Sequence, residues 1–269
     1  MKRILSVLLA VMMLACTLFA FTSCGEESDW EKIEERGYFY CGITVYEPMN
    51  YYDEEGNLVG FDTEFAQAVA EKLGVEVKFT TISWPNKYME LNSGAIDAIW
   101  NGFTYGDEDG VSRTEYVDFT YSYLENRQVI VTAKNSGLTE KASFAGKKGV
   151  AEGGSSGQAV AEELAGEDKV TTFTSQVDAL REVASGTADF AVIDYQMARA
   201  MVGVGDYPNL EINGAYSPDS EVYAIGCRKG SDFTAKINEA IKALAEDGTL
   251  ATLAEKYGLE NDLIENIGE

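Results

Sequence analysis

Short runs of apolar and β-branched residues alternate along the chain with longer segments in which apolar residues recur every three or four positions. The first pattern is typical of strands that are partly or fully buried, and the second is typical of amphipathic helices. The predicted strands are residues 38–43, 75–81, 95–100, 128–132, 148–151, 170–173, 190–193 and 222–227. The predicted helices are residues 61–73, 87–93, 156–165, 176–185, 196–201, 232–247 and 249–257. This alternation predicts an α/β fold with mainly parallel sheets flanked by helices.

One sequence pattern occurs twice, 92 residues apart. Residues 93–100 and 185–192 both begin with Ser-Gly at a predicted helix end, place an Asp three residues after the Gly, and continue into an apolar strand. Glycine ends helices in the left-handed conformation, and an Asp stabilises a tight turn. The repeat predicts two similar lobes.

The predicted strands also indicate where a ligand would bind. In open parallel sheets, ligands lie beyond the carboxyl ends of the strands. The residues that follow the two repeated strands are Asn101, Gly102 and Thr104 in one lobe and Asp194 in the other. We therefore expect a cleft between the lobes, with these residues facing it.

The first segment has the pattern of a secretory signal peptide. Lys2 and Arg3 precede an almost uncharged apolar run over residues 4–21. A membrane-spanning anchor is the alternative, since the run is near the minimum length for a span. Residues 21–24, Phe-Thr-Ser-Cys, resemble the lipobox of bacterial lipoproteins, which implies cleavage after residue 23, lipidation of Cys24 and a tether over residues 24–29.

Composition removes several classes of function. The 269 residues include 45 acidic, 21 basic and no histidine residues, and the formal charge is -24. This acidity argues against nucleic-acid binding, which depends on clustered Lys and Arg. The lack of histidine excludes Ser-His-Asp triads, Cys-His dyads and imidazole ligands for zinc. We expect no metal and no cofactor, and the composition favours a binding protein over a hydrolase.

Two cysteines lie within predicted strands, Cys41 and Cys227. Two buried thiols that act as small apolar side chains are the simpler interpretation. A disulfide is also compatible with a protein outside the cytoplasm, and sequence spacing does not decide between the two.

Six motifs in a fixed order resemble one family. They are residues 42–49 (GITVYEPM), 60–66 (GFDTEFA), 91–104 (LNSGAIDAIWNGFT), 149–156 (GVAEGGSS), 191–194 (AVID) and 247–258 (DGTLATLAEKYG). Together they resemble the type II periplasmic binding proteins, family 3, which serve polar amino-acid ABC importers. The resemblance covers about residues 30–258.

The resemblance implies a specific organisation. The first lobe would comprise residues 30–130 and 222–269, the second residues 131–221, and hinge strands would cross near 129–134 and 217–223. The protein would be a monomer outside the cytoplasm. It would capture a free amino acid by closure of the cleft and deliver it to the membrane permease of an ABC transporter.

The family motifs also assign a binding role to individual residues. A zwitterion that loses its water needs a partner at each charged end. Arg113 would bind the α-carboxylate together with the N–H groups of Ser155 and Ser156 at a helix N-terminus, although an insertion over residues 105–112 separates Arg113 from the preceding motif. A solvated loop charge is the alternative for Arg113.

Asp194 would bind the α-ammonium, and a helix N-cap is its alternative. The Gly102 carbonyl and the Thr104 hydroxyl would lie around the same charged groups. Tyr46 and Trp84 would flank the ligand side chain as rigid aromatic walls, and ordinary packing is their alternative. The ligand side chain would also contact Asn101, with Glu47 and Glu152 as further candidates.

Two other functions stay open on sequence alone: a periplasmic dehydratase of the cyclohexadienyl or arogenate type on the same fold, and a sensor-type binding module. The intact pair of Asp194 and Arg113 favours a binding protein that is not an enzyme. The amino acid itself is not fixed. Thr44 stands where binders of basic amino acids often carry an acid, which argues against such a ligand, whereas Glu47 and the acids at 107–109 argue for one.

Overall fold

A computed structural model describes residues 28–108 and 111–268 of the chain. The predicted signal peptide and the lipidation residue Cys24 lie outside the described residues. Within the described residues, no helix is both long and apolar enough to cross a membrane.

The described residues form eight α-helices and sixteen strands. The helices are α1 (Asp29–Arg36), α2 (Phe61–Leu73), α3 (Lys87–Ser93), α4 (Ser156–Ala165), α5 (Gln176–Ser185), α6 (Tyr195–Met201), α7 (Phe233–Glu246) and α8 (Thr249–Lys256). The strands of the first half are β1 (Tyr38–Ile43), β2 (Tyr51–Tyr52), β3 (Leu58–Val59), β4 (Glu76–Thr81), β5 (Ala98–Ile99), β6 (Thr104–Tyr105), β7 (Asp107–Glu108), β8 (Val111–Ser112) and β9 (Val117–Phe119). The remaining strands are β10 (Leu124–Ala133), β11 (Gly149–Glu152), β12 (Val170–Phe173), β13 (Phe190–Asp194), β14 (Leu210–Asn213), β15 (Ser220–Tyr223) and β16 (Gly226–Arg228).

The first lobe is built on a five-stranded sheet in the order β4-β1-β5-β16-β9. Strands β1, β4 and β5 run parallel, and β16 pairs antiparallel with β5 and β9. Apolar side chains of α2 and α7, among them Phe65 and Ile237, are fully buried against this sheet. Parallel strands that are covered by helices explain the almost continuous apolar runs of this lobe.

The second lobe repeats this arrangement with β11 at its centre. Strand β11 pairs parallel with β12 and β13, and β13 pairs antiparallel with β10. Helices α4, α5 and α6 cover the sheet, and their small apolar side chains, such as Ala161 and Ala179, are fully buried. The predicted fold class, α/β with two similar lobes, is confirmed.

Strands β10 and β15 connect the two lobes. The first residues of β10, Leu124 to Arg127, pair antiparallel with β15, and the later ones, Gln128 to Thr132, pair with β13 in the second lobe. Strand β15 also pairs with β6 of the first lobe. Both strands therefore pass between the lobes beside the cleft.

The repeated sequence pattern occupies equivalent places in the two lobes. Gly94 and Gly186 each end a helix with a left-handed φ of 78°. Asp97 accepts a hydrogen bond from the Tyr40 backbone N–H at 2.8 Å, and Asp189 accepts one from Lys148 N–H at 2.8 Å. Each Asp thus ties its own turn to the start of the neighbouring central strand, which explains why both lobes use the same pattern.

Three strands differ from their predicted bounds by more than one residue. The apolar run over residues 222–227 is divided between β15 and β16, which belong to different sheets. Strand β10 extends over ten residues because it serves both lobes, and β5 covers only two residues of the predicted 95–100. Cys41 and Cys227 are both buried free thiols, as the simpler interpretation predicts.

Candidate functional site

A small cavity of about 10 Å³ lies between the lobes, far below the ~300–1,000 Å³ usual for small-molecule sites, so the two walls are almost in contact. Side chains of both lobes line it: Trp84, Asn101, Gly102, Thr104, Arg113, Gln128, Glu152, Ser155, Ser156, Gln176 and Asp194. Eight of the nine residues that the sequence assigns to ligand binding are in this lining. The ninth, Tyr46, is buried directly under Gly102.

Gly102 forms part of the first-lobe wall because only glycine fits there. Its φ is +56°, and a Cβ atom would lie 2.0 Å from the Tyr46 hydroxyl oxygen. Its N–H donates a hydrogen bond of 2.8 Å to the buried carboxyl of Asp62, which also accepts from the Tyr123 hydroxyl at 2.8 Å. Burial raises the Asp62 pKa to about 7.

Asn101 supports the wall rather than presenting a free amide. Its oxygen accepts from the Thr44 N–H at 2.9 Å and from the Thr44 hydroxyl. Its nitrogen donates to the Thr44 carbonyl at 2.8 Å and to the Asn50 side chain at 2.6 Å. The amide therefore fixes the loop after β1 against the loop after β5.

Arg113 is buried at the cavity, with only 1% of its surface exposed. It follows the short hairpin of β7 and β8, and its N–H donates to the Gly106 carbonyl at 2.9 Å. Its Nη1 donates to the Thr104 carbonyl at 2.8 Å, and its guanidinium carbon lies 5.0 Å from the Phe103 ring centroid. Burial on this scale excludes the interpretation of Arg113 as a solvated loop charge.

The N-terminus of α4 faces the cavity from the second lobe. Ser155 is its N-cap, and its hydroxyl oxygen accepts from Gln158 N–H at 3.1 Å. The first N–H groups of a helix have no partner within the helix, and they carry partial positive charge. The neighbouring Ser156 hydroxyl is buried without a hydrogen-bond partner among the described residues. This end of α4 therefore suits an anion.

Asp194 lies at the carboxyl end of β13 and at the N-cap position of α6, but its side chain makes no capping hydrogen bond. It instead accepts from three side-chain amides, those of Asn126 at 2.9 Å, Gln128 at 2.6 Å and Gln176. Burial raises the Asp194 pKa, and these donors oppose that shift. The carboxylate is thus fixed in position at the cavity, so the capping alternative does not account for it.

A further carboxylate, Glu221, belongs to the same network. Its Oε1 accepts from Thr104 at 3.0 Å, Asn126 at 2.6 Å and Gln128 at 2.8 Å. Burial and the nearby Asp194 raise its pKa. Since Glu221 is on β15 and its donors are on β6 and β10, this network links the two connecting strands to the cavity wall.

Sequence reasoning missed the amides and Glu221. Asn126 and Gln128 are two residues apart in β10, so their side chains share one face of the strand, and this spacing is a signal that the sequence contains. Gln176 opens α5 just after the end of β12, where the rule for parallel sheets places ligand-binding groups. Glu221 has no such signal, because its neighbours come from distant strands.

Lys87 and Glu152 bring further charge to the cavity. Lys87 in α3 is buried, and its Nζ donates to the Gly154 carbonyl of the second lobe at 2.8 Å. Glu152 is 3% exposed, and burial raises its pKa well above the ordinary value, an effect that Asp194 increases and Lys87 decreases. No group of acidic or cysteine side chains in the described residues is arranged to hold a metal ion.

Trp84 forms the aromatic wall of the cavity. It is 4% exposed, and its ring packs edge-on against Phe103 with centroids 5.5 Å apart. The Lys87 Nζ lies 5.1 Å from the Trp84 ring centroid. The wall is therefore rigid and lies next to charged groups.

The chain is similar to known amino-acid-binding proteins. The arginine-binding extracellular protein ArtP of Bacillus subtilis is 29% identical over 263 residues, covering 96% of this chain and 98% of ArtP. The L-cystine-binding protein TcyJ of Escherichia coli K12 is 31% identical over 241 residues, covering 87% and 88%.

A solved structure is also similar. The substrate-binding protein of an ABC uptake transporter from Streptococcus pneumoniae, with bound histidine, superposes with a TM-score of 0.79 at 30% identity, covering 88% of this chain and 99% of that one. Residues 41–260 match the sequence pattern of the bacterial extracellular solute-binding proteins, family 3. The chain belongs to that family.

Proposed function

We propose that this protein captures a free amino acid in the cleft and delivers it to the permease of an ABC importer. The observation that carries the proposal is the pair of opposite charges in one cavity, Arg113 from the first lobe and Asp194 from the second. The relatives support it, since they are named as binding proteins for arginine and cystine, and the solved structure holds histidine.

The cavity matches the two charged ends of an amino acid. The Arg113 guanidinium and the Ser156 N–H offer donors to the α-carboxylate, whereas the Ser155 N–H, also expected to do so, donates to the Glu152 carbonyl at 3.3 Å. Asp194 offers carboxylate oxygens to the α-ammonium, with the Gly102 carbonyl and Thr104 hydroxyl beside it. Trp84 flanks the ligand side chain. Asn101 and Tyr46 act by positioning the first-lobe wall of the cavity. The Asn101 amide is engaged with Thr44 and Asn50.

Closure of the lobes provides the transport signal. A ligand stabilises the closed form only if it contacts both lobes. A ligand that binds both Arg113 and Asp194 meets this condition, because the two residues belong to different lobes. The first lobe comprises residues 30–130 and 222–269, and the second comprises residues 131–221. The hinges are the two places where the chain crosses between them, near residues 129–134 and 217–223. The pairing of β10 with β15, and of β10 with β13, supports this division. The closed monomer then docks on the permease.

The protein acts outside the cytoplasm, since its family is extracellular. A lipid at Cys24 anchors it to the outer face of the membrane, after cleavage of the signal peptide at residue 23. The lipobox-like residues 21–24 support this anchor, and two acyl chains give stable membrane attachment.

A binding role also agrees better with the site than the dehydratase alternative. A dehydratase needs a general acid beside its substrate, but it has less use for an ammonium partner. Asp194 is held by three amide donors as a fixed acceptor, which suits an ammonium ion.

A thermal-shift panel tests the proposal. The domain from residue 25 onward is heated with each of the twenty amino acids and cystine. A ligand at 100 times its dissociation constant stabilises the protein by about 2.7 kcal/mol, which raises the melting temperature by about 5 to 10 °C. We expect one or a few amino acids to give such shifts, and Asp194→Ala or Arg113→Ala to remove them. A panel without any shift would contradict the proposal.

A further inference from the structure

Glu152 is the carboxylate of the cavity that lacks a partner. It ends β11, it is 3% exposed, and it lines the same cavity as Asp194 and Arg113. Its Oε1 is buried and has no hydrogen-bond partner among the described residues. A buried carboxylate without a partner is unfavourable, so its position calls for an explanation.

The other acids of the site show how such a group is normally satisfied. Asp194 accepts hydrogen bonds from three side-chain amides, and Glu221 accepts from two amides and a hydroxyl. Glu152 differs from both, because it lines the cavity and its buried Oε1 has no donor among the described residues. The hydrogen-bond donor for the Glu152 Oε1 is therefore expected to enter with the ligand.

The charges around Glu152 specify the kind of donor. Burial disfavours the ionised form of Glu152 most strongly, and Asp194 and Asp178 add to this effect, whereas Lys87 and Arg113 oppose it. The net result is a raised Glu152 pKa. A cation that enters with the ligand stabilises the ionised form by its charge as well as by hydrogen bonding, whereas a neutral donor acts by hydrogen bonding alone. The Trp84 ring in the same wall also favours a cation, since aromatic faces attract positive charge.

The α-ammonium of an amino acid does not supply this cation, because Asp194 already serves it in the proposed function. We infer that Glu152 binds a second positive group of the ligand, so that the cleft takes amino acids with a cationic side chain. This inference rests on the proposed function and adds the ligand class to it.

Isothermal titration calorimetry with matched ligands tests the inference. L-Arginine and L-citrulline have nearly the same shape, but only arginine carries a side-chain charge. We expect the wild-type protein to bind arginine at least about 30-fold more tightly than citrulline, the range of a buried charge-assisted hydrogen bond. L-Lysine and L-norleucine form a second such pair.

The variant Glu152→Gln keeps the shape of the side chain and removes its charge. It should weaken arginine binding at least about 30-fold and citrulline binding less than about 3-fold. Glu167→Gln removes one exposed charge from the same lobe and should leave the arginine-to-citrulline ratio unchanged. The wild-type ratio needs no variant, so a ratio near one overturns the inference even if Glu152→Gln fails to fold.

The outcomes separate the two proposals. Equal binding of arginine and citrulline by the wild type, or an equal loss of both in Glu152→Gln, would overturn the inference. If neutral amino acids bind in an Asp194-dependent manner and cationic ones do not, the inference fails and the proposed function stands. If no amino acid binds, both fail.

Discussion

Lys87 in the first lobe donates a hydrogen bond to the carbonyl oxygen of Gly154 in the second lobe, with 2.8 Å between Nζ and oxygen. This bond crosses the cleft beside the cavity, so the lobe opening proposed above would break it. Hydrogen bonds from charged groups contribute about 1.5–3 kcal/mol. The bond therefore adds to the stability of the closed form.

Lys87→Met should weaken ligand binding about 10-fold, mainly through faster dissociation, because the closed form becomes less populated. Stopped-flow tryptophan fluorescence with the ligand found in the thermal-shift panel measures the dissociation rate. Lys72→Met is the matched control, since Lys72 lies in the same lobe and pairs with Asp247 at the surface. An unchanged dissociation rate in Lys87→Met would refute the role of this bond.

Gly157 allows α4 to approach the end of β13. A Cβ atom there would lie 2.7 Å from the Val192 carbonyl oxygen and 2.9 Å from the Gln128 side-chain oxygen. Gly157→Ala should displace the N-terminus of α4, destabilise the fold by roughly 1–3 kcal/mol and weaken ligand binding. Chemical denaturation and calorimetry measure the two effects. Gly214→Ala, with nothing within 4 Å of the added Cβ, should change neither. Equal stability of both variants would contradict this account.

Asp62 should make stability depend on pH. Its folded-state pKa of about 7 is above the ordinary value of 3.8, so the folded protein retains a proton that the unfolded chain loses. The Asp62 contribution to the unfolding free energy is thus largest below pH 4, falls as the pH rises to about 7, and is then constant. The total change is roughly 4 kcal/mol at most.

Urea denaturation of the wild type and of Asp62→Asn across pH 4 to 8 measures this contribution. The difference between the two unfolding free energies should shift in favour of the variant as the pH rises. Comparison with the variant removes the effect of the many other acids. A difference that is independent of pH would show that Asp62 ionises normally.

The two thiols should be unreactive in the native protein. Burial raises the pKa of Cys227 to about 12 and also raises that of Cys41, and only the thiolate reacts readily. A thiol reagent such as DTNB should label neither residue in the native domain from residue 25 and both in denaturant. Rapid native labelling would contradict the burial, and the absence of both thiols in denaturant would indicate a disulfide.

Much of the fold follows from local sequence signals. Helix α3 is predicted with its observed bounds because Gly94 ends it in the left-handed conformation. The repeated Asp97 and Asp189 predict two similar lobes, but their common role is visible only in the structure, since each binds a backbone N–H of a distant strand. Local patterns specify the elements and the edges on which ligand-binding residues lie.

Other features depend on contacts that local patterns do not encode. The run over residues 222–227 is continuously apolar apart from Gly226, yet it changes sheet after Tyr223, because β15 pairs with β10 while β16 pairs with β5. Glu221 gains its role from Thr104 and Gln128, which are remote in sequence. The absence of a donor at the Glu152 Oε1 likewise depends on how the two lobes meet at the cavity.

The central claim is that Asp194 and Arg113 hold the two charged ends of a free amino acid. Calorimetry with the preferred amino acid, its N-acetyl derivative and its methyl ester tests this claim most directly. Each derivative removes one charge and leaves a buried partner unsatisfied, so binding should weaken at least about 100-fold in both cases. Binding of either derivative within about 3-fold of the free amino acid would contradict the account.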